Sequence, residues 1–524
     1  MIKYLSKKIK DVEQMPGDHE LYEKYGNMTL IEFSRVVGLG GTLSLKGSVK
    51  TYVIDLFCGA GGTHSAINEA KTNIEVISCI NHDKNAVLSN LANFPDCLTY
   101  IEDIRTVDLH PLIELVNKLR EEDPTCKIAL WASLECINFS PAKCGPKDIS
   151  SRSLADDMFR YLDAFNPDFF WVENVKQFRN WGPLDKNNTP IKSKIGQDYK
   201  RWVKRLTTDY FDKTYYDESL ISADFEGRTI RDRLFLQFAK NKKAIGHPVK
   251  THDKNEKDGL LPWLPIIDIL DLDNVGNSIF NRRKPLVPKS NRRIGKGLVK
   301  YGPTKGCSFG IKYYGQLGFQ DMKDPAATLT TKDRISPIYV TPLGIKQNYG
   351  ASLMRSANDS SASLTVRPKS DVGFVHNLQY GGTNRSVNAP SATVIARQDK
   401  APLGITVGVA NKKENGLEFR QFLIRTPGSR DIWTEEEGVI IASYLTDDPW
   451  MRFVKRYMFF NNLVDVSMRS LEIPEMLSIQ GFPDGYILIG TKTEQKKYIG
   501  NSVEIKVGMA LIKSIDKAIQ STFA

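Results

Sequence analysis

Apolar positions in the first half of the chain come in short runs separated by helical patterns. Tyr52-Val53-Ile54-Asp55-Leu56-Phe57 reads as a strand, Cys58-Gly59-Ala60-Gly61-Gly62 as a tight turn, and Thr63 to Ala70 as a helix. A second strand, Ile74 to Ile80, ends at Asn81-His82-Asp83 and gives way to a helix reaching Asn93. A third, Leu98 to Ile101, ends at Glu102-Asp103-Ile104. A helix over Leu109 to Arg120 precedes a fourth strand, Ile128 to Trp131. Asp156 to Phe165 reads as a helix, and Phe169 to Val172 as a fifth strand ending at Glu173-Asn174-Val175. Ile195 to Leu206 is helical, and the stretch from Gly227 to Leu236 again reads as a strand. Strands alternating with helices at this spacing predict an α/β domain with an open sheet.

In such a sheet, reactive and ligand-binding groups gather just past the carboxyl ends of the strands. The first strand, glycine turn and helix follow the plan of a nucleotide-binding crossover, although a tight βα turn would also explain the glycines. Polar groups recur at three successive strand ends, which suits an adenosine-like ligand lying across the sheet edge. The turn lacks a Lys-Ser/Thr pair, which argues against a triphosphate loop. Beyond the fourth strand, Cys136 stands where a nucleophile would, followed by Phe139-Ser140 and a loop with Lys143, Gly145, Lys147 and Arg152. A free cysteine is more often a small core residue, and only the rest of the chain turns the balance. Glu173 directly follows four bulky apolar residues, so desolvation should raise its pKa and let it carry a proton. Arg231 and Arg233 are two apart and share a face in a strand, as phosphate or base-edge ligands would; a solvated face is the plainer alternative.

The second half is patterned differently. Between Arg282 and Lys300 there are eight basic residues and no acidic one, which reads as a phosphate-contacting patch or else a solvated loop. Arg282, Arg283, Lys284, Arg292 and Arg293 are its candidate DNA ligands. An approximate threefold repeat follows. Gly310-Ile311-Lys312 leads to Ala327-Thr328-Leu329, Gly344-Ile345-Lys346 to Ala362-Ser363-Leu364, and Gly373-Phe374-Val375 to Ala392-Thr393-Val394. β-Branched residues between Gly and Asn turns predict strand–loop–strand units that stack, with loops suited to base edges and phosphates. Residues 416–465 read as apolar connecting structure, and residues 1–50 as a polar extension ending in Gly38 to Gly41, with no chemistry of their own.

Composition narrows the partners. A chain of 524 residues exceeds one compact core and predicts two or more domains. Lys and Arg exceed Asp and Glu by 72 to 61, a modest excess whose clustering matters more than its sum and which points to nucleic acid. No apolar run is long enough to span a bilayer, and the Lys-rich Met1 to Asp11 lacks the apolar core of a signal peptide. The seven cysteines are scattered without a Cys-x-x-Cys pair, which predicts no disulfide framework, no metal site and a reducing compartment.

Taken together, Asp55 to Gly62, Cys136 with Phe139-Ser140, Glu173-Asn174-Val175 and Arg231-x-Arg233 resemble the cytosine-C5 DNA methyltransferase family. So do two C-terminal blocks, Arg469-Ser-Leu471 through Glu475 to Gln480-Gly481-Phe482-Pro483-Asp484, and Tyr498-Ile499-Gly500-Asn501-Ser502-Val503. The blocks keep the family's order over residues 51–238 and from 466 to the end. The resemblance implies a Rossmann-like class I methyltransferase domain in 51–240 with a large, mostly β target-recognition domain inserted at 241–465. A segment from 466 to 524 would return to the first domain and end in a helix. It implies S-adenosylmethionine held by Phe57, Gly59, Gly61, Asn81, His82, Asp103, Ile104, Asn501 and Val503, with Asp103 accepting from the adenine amino group. Cys136 would attack C6 of a flipped cytosine, Glu173 would hold N3 and the amine, and Arg233 would bind O2 with Arg231 in support. The implied partner is double-stranded DNA, bound by a monomer in the cytoplasm of a prokaryote or as a phage-encoded protein. A cognate restriction endonuclease is a candidate second partner.

Three positions depart from the family pattern. Glu135-Cys136-Ile137 replaces Pro-Cys-Gln, placing a carboxylate beside the thiol that should raise its pKa and slow attack unless a cation offsets it. Asn81-His82 replaces an acidic-aromatic pair at the ribose position, and Thr229 replaces the Gln before Arg-x-Arg. These departures keep three other readings open: an RNA cytosine-C5 methyltransferase, an enzyme acting on already modified cytosine or transferring another group, and a DNA-binding relative without catalysis. The large basic insertion favours duplex DNA over RNA.

Overall fold

The computed structural model describes residues 48–134, 154–280, 282–302, 447–461 and 463–524. Between 303 and 446 it describes 306–312, 319–329, 335–342, 344–346, 354–356, 372–377, 385–386, 403–408, 419–425, 432–435 and 438–444. The chain divides into two units. The first holds residues up to 264, 325–332 and 476–524; the second holds 265–324 and 333–475.

The first unit is a seven-stranded sheet. Its strands are β1 (Thr51–Leu56), β2 (Ile74–Asn81), β3 (Leu98–Ile101), β4 (Lys127–Ser133), β5 (Phe169–Asn174), β6 (Tyr216–Ile221) and β7 (Asp232–Ala239), in the order β3-β2-β1-β4-β5-β7-β6. β1 to β5 run parallel, and β7 runs antiparallel to both β5 and β6. The order reverses between β1 and β4, so the crevice expected of an open α/β sheet opens between the glycine turn and the end of β4. Helices α1 (Gly62–Ala70), α2 (Lys84–Asn93), α3 (His110–Glu122), α4 (Met158–Phe165) and α5 (Gln197–Arg205) connect the strands. Strand alternation splits the core in two. Ile54, Leu56, Ile128, Leu130, Phe170 and Val172 bury one face with residues of α3, α4 and α5. Val53, Ala129, Trp131 and Trp171 bury the other with Ile67 of α1 and the C-terminal helix.

Two features of this unit differ from expectation. β6 has no apolar pattern: as an edge strand it exposes Glu218 and Ser219 and hides only Tyr216 and Leu220. The unit also continues past 240 as a strap to residue 264. Gln237 fastens that strap by bonding the Gly246 carbonyl at 2.7 Å and its N–H at 2.9 Å, and Trp263 donates to Asp224 at 3.0 Å.

In the second unit, β10 (Asn277–Ser278), β11 (Gly306–Lys312), β12 (Phe319–Asp321), β13 (Ile335–Pro342) and β22 (Leu463–Met468) form an antiparallel sheet in the order β10-β22-β13-β11-β12. The numbering leaves β8 (His252–Asp253) and β9 (Leu261–Pro262) in the strap. Two helices cover this sheet, α6 (Pro288–Tyr301) and α7 (Pro449–Phe460), burying Ile294, Leu298, Val454 and Met458 against Phe309, Ile338 and Val466. The basic stretch is therefore largely helix rather than loop. Lys289, Arg292, Lys296 and Lys300 occupy its exposed positions, three and four residues apart, while Ile294 and Leu298 face inward. Residues 416–465 are not featureless either. They carry β19 (Phe419–Arg425), β20 (Ile432–Glu435) and β21 (Gly438–Tyr444), which form one sheet, before α7 and β22.

The threefold repeat appears as three hairpins. β11 pairs Gly310 with Gln320, β14 (Gly344–Lys346) pairs Ile345 with Arg355 of β15 (Met354–Ser356), and β16 (Val372–Asn377) pairs Val375 with Arg385 of β17 (Arg385–Ser386). Each residue meets the one ten positions later, and 310, 345 and 375 are offset by 35 and 30. The Ala positions 327, 362 and 392 of the repeat carry the same offsets. The hairpins lie in three separate sheets rather than one, and β18 (Leu403–Gly408) joins the third.

After α8 (Ile473–Ile479) and α9 (Lys492–Asn501), the chain ends in α10 (Ile505–Phe523). Val507, Leu511, Ile515 and Ile519 recur every four residues and are buried, as a helix lying on a core requires. Gly508 lets α10 approach Ala66 of α1, where a Cβ would come within 2.7 Å of the Ala66 methyl. Gln520 bonds both the N–H and the C=O of Val49 at 2.8 Å, tying the start of the described chain to its end.

Candidate active site

The carboxyl end of β5 carries the expected acid. Glu173 is buried, and its Oε1 lies 3.2 Å from Nε of Arg233 at the start of β7. Burial pushes its carboxyl above the ordinary glutamate value, while Arg233 and then Arg231 pull it back. Burial and the two arginines thus act on this carboxyl in opposite directions. Asn174 donates to the Leu134 carbonyl at 3.4 Å, joining the end of β5 to the chain leaving β4. Cys136 lies two residues beyond Leu134 and outside the described residues. So do Glu135, Ile137, Phe139, Ser140 and the loop with Lys143, Gly145, Lys147 and Arg152.

Arg231 sits differently from its neighbour. It precedes β7, is 1% exposed, and donates to the Gly500 carbonyl at 2.9 Å and the Leu329 carbonyl at 3.4 Å. A guanidinium enclosed in this way is not a phosphate ligand. It joins the Arg-x-Arg block to the Gly500-Asn501 block and to the tail of the first repeat. That tail runs beside Arg228 to Ile230: the Ala326 N–H donates to Arg228 at 2.7 Å, and Ile230 donates back to Ala326 at 2.8 Å.

The expected cofactor positions converge on the ends of β1, β2 and β3, which are neighbours in the sheet. Phe57, Gly59 and Gly61 have φ of 63°, 52° and 94°, so the turn after β1 is left-handed at three positions. Among the described residues, a Cβ built on Gly59 would meet nothing nearer than the Phe57 carbonyl at 4.0 Å, which leaves an open backbone cradle. Gly62 is closed instead, because a Cβ there would run into Ser502 Oγ and come within 3.2 Å of the Val503 nitrogen. Asn81 is half-buried and its side chain accepts from the Asp83 N–H at 2.9 Å, while His82 is exposed. Asp103 is gripped by Arg105 at 2.6 and 3.0 Å, and that guanidinium holds its carboxyl at about 2. The Ile104 side chain is buried, and its carbonyl accepts from Tyr161 at 2.6 Å. Asn501 is exposed and Val503 buried.

Several supporting residues escaped the sequence reading. The Tyr486 hydroxyl donates to the Ala60 carbonyl at 2.5 Å, and Tyr498 donates to Asp83 at 2.9 Å. Gln480 donates to the Ile499 carbonyl at 3.0 Å and accepts, through its backbone carbonyl, from the Ile505 N–H at 2.9 Å. Gln480 and Tyr498 stood inside recognised blocks without an assigned role, and Tyr486 carries no local signal. Arg292 and the exposed Arg283 and Lys284, with half-buried Arg282 and Arg293, belong to the second unit. A groove of about 580 Å³ in the first unit, lined by Lys506, Lys513 and Lys517, includes none of the expected site residues.

A parallel sheet that reverses at β1/β4, with a glycine turn on one side of the crevice and a buried acid with its arginine on the other, is that of a doubly wound α/β protein. The C-5 cytosine-specific DNA methylase family matches residues 51–259 and 325–517, well over half of the sequence, and the chain belongs to that family. The match stops at 259 and resumes at 325, where the repeat tail rejoins the first unit. Type II methyltransferase M.SacI of Streptomyces achromogenes is 26% identical over 226 residues, 40% of this chain and 53% of that protein. Type II methyltransferase M.NgoFVII of Neisseria gonorrhoeae is 24% identical over 222 residues, 41% of this chain and 52% of that protein. The chain thus spans about half the length of the curated relatives it matches. A crystal structure of a Spodoptera frugiperda DNMT2 mutant superposes with a TM-score of 0.42 at 15% identity, over 89% of this chain and 99% of that one. No helix among the described residues is long and apolar enough to cross a membrane.

Proposed function

We propose that the chain is a site-specific DNA cytosine-C5 methyltransferase that uses S-adenosylmethionine and acts through Cys136. The observation that carries this reading is the buried Glu173–Arg233 pair at the end of β5, one strand from the β4 exit that leads to Cys136. The open Gly59 cradle and the polar ends of β2 and β3 fit the cofactor: Phe57, Gly59 and Gly61 would line it on one side, Asn81, His82, Asp103 and Ile104 on the second, and Asn501 and Val503 on the third. Bound there, S-adenosylmethionine supplies an electrophilic methyl group.

The chain's own residues would do the rest. Cytosine C5 is a weak nucleophile, and addition of the Cys136 thiolate to C6 moves electron density onto C5. Glu173 would hold N3 and the exocyclic amine and give N3 its proton as the ring loses aromaticity. Arg233 would bind O2 while keeping its grip on Glu173. Removal of the C5 proton and expulsion of the thiolate would restore the ring. The reacting atoms are hidden in a duplex, so the base must be flipped out. Duplex DNA, one chain per target and a cognate restriction endonuclease complete the proposed partner set, with the repeat loops and the exposed basic residues of α6 as DNA contacts. Labelled methyl transfer to DNA, RNA and pre-modified DNA, with wild type and Cys136→Ser, tests this reading. Transfer to unmodified DNA that vanishes in the variant is expected, and undiminished transfer by the variant would end the covalent mechanism.

A further inference from the structure

Under the glycine turn lies a buried cluster that the proposed chemistry does not use. His64 of α1, Cys79 of β2 and Cys97, the residue before β3, offer ligand atoms that all lie within 4.8 Å of one another. The Cys79 sulfur is 3.5 Å from that of Cys97 and 3.8 Å from His64 Nδ1. Cys58, in the turn itself, is also buried, and Cys79 bears on its thiol electrostatically. Positions 58, 64, 79 and 97 have no metal-motif spacing, so only the fold brings them together. Tetrahedral zinc sites have Zn–S near 2.3 Å and Zn–N near 2.0 Å, which puts ligand-to-ligand edges at about 3.8 Å for S–S and about 3.5 Å for S–N. The two distances here match such edges to within about 0.3 Å. A second observation points the same way. Both carboxylate oxygens of Asp55, itself 0% exposed, lack a hydrogen-bond partner among the described residues, and that carboxyl acts electrostatically on Cys58 and Cys79. The Asn90 amide also donates to the Cys79 sulfur at 3.3 Å, as an outer-sphere donor to a thiolate would.

The geometry points to a site for one zinc-class divalent ion, held by His64, Cys79 and Cys97. His64 would bind through Nδ1, with its proton on Nε2 and the Asn90 oxygen, now 3.3 Å from Nδ1, turned away. Each thiol that binds releases its proton to solvent, so uptake is favoured as pH rises. The ion would fasten α1 to the edges of β2 and β3, under the open cradle. Pro95 and Asp96 next to Cys97 are exposed, which gives the ion a short way in. The site is independent of whether the chain methylates anything.

The test is metal content of the full chain purified without an affinity tag. About one equivalent of zinc by mass spectrometry is expected, and cobalt substitution should give thiolate charge-transfer and tetrahedral d–d bands. Cys97→Ala should lose the ion and the bands, whereas Cys126→Ala, which removes a buried thiol outside the cluster, should keep both. Should Cys97→Ala fail to fold, alkylation of the wild-type chain decides the matter. Zinc should shield Cys79 and Cys97, and a chelator should expose them. A chain that takes up no zinc when it is supplied, or equal alkylation with and without chelator, overturns the site.

Discussion

Glu504 offers a sharp test of how the C-terminal segment is held. It follows Ser502-Val503 and caps α10, its carboxylate accepting from the Val507 N–H at 2.9 Å. It is 1% exposed, and its Oε1 has no hydrogen-bond partner among the described residues. Arg231 and Lys506 act on it favourably, yet burial outweighs them and raises its pKa from 4.5 to about 8. The folded chain therefore keeps this proton at pH values where the unfolded chain has lost it. Stability from this group is fully present below about pH 4.5 and falls by about 1.4 kcal/mol per pH unit until the folded group ionises near 8, up to about 5 kcal/mol in all. Glu504→Gln keeps an oxygen for the cap and removes the titration. Urea unfolding of both chains between pH 5 and 8.5, followed by tryptophan emission, should give a difference that grows with pH in the variant's favour. A flat difference across that range would mean that Glu504 is ionised throughout and paired with Arg231, and the argument from burial would be wrong.

Three other outcomes follow from the geometry. Glu173→Gln keeps a partner for Arg233 but cannot give up a proton to a ring nitrogen, so methyl transfer should fall by about 100-fold or more with the fold intact by circular dichroism; unchanged transfer would remove Glu173 from the chemistry. Gly62→Ala drives a methyl into Ser502 and should cost about 1–3 kcal/mol of unfolding free energy, most of it recovered by adding Ser502→Gly, whereas additive losses would show that the two residues do not touch. Excision of residues 345–374 removes one 30-residue repeat period and brings Val375 to the position of Ile345, so the remaining hairpin keeps its pairing with Arg385. Bisulfite sequencing of DNA from an expressing host should then show transfer retained with an altered site preference, and an unaltered preference would show that the repeat does not read bases.

Much of the first unit is legible along the chain because its strands are buried on both faces. Phe169 to Val172 and Ile128 to Trp131 are unbroken apolar runs, and the polar residues that end them mark the crevice without further knowledge. β6 is hidden for the opposite reason. As an edge strand it needs only Tyr216 and Leu220 inside, and Asp-Glu-Ser between them reads as loop. α6 is masked by composition: it carries five basic residues, and Gly295 and Gly297 lower helix propensity. Those glycines are packing choices, since a Cβ on Gly295 would come within 2.9 Å of the Trp450 ring and one on Gly297 would strike Phe309. The repeat, by contrast, is legible in its offsets: the Ala positions 327, 362 and 392 are spaced as the hairpin pairings are. A hairpin closing at ten positions constrains both of its strands, so a repeated turn carries a repeated pattern.

What no local pattern reveals is how the strand ends are held level with one another. Arg231 meets Gly500 across 269 residues, Tyr486 meets Ala60 across 426, and Tyr498 meets Asp83 across 415. Each bond has one end in a carbonyl or in a carboxylate also engaged in a cap, so nothing at that end marks it as a partner. This also explains the different environments of the two arginines in Arg231-x-Arg233. Both carry the same charge two residues apart, but Arg233 retains 15% side-chain exposure beside Glu173, while Arg231 retains almost none and spends its donors on backbone carbonyls. Both bonds leave the same terminal nitrogen of Arg231, which reaches Gly500 and Leu329 at once. The block around Asn501 is thus held in place by Arg231, and residues that look like separate motifs in the sequence form one hydrogen-bonded unit around the crevice.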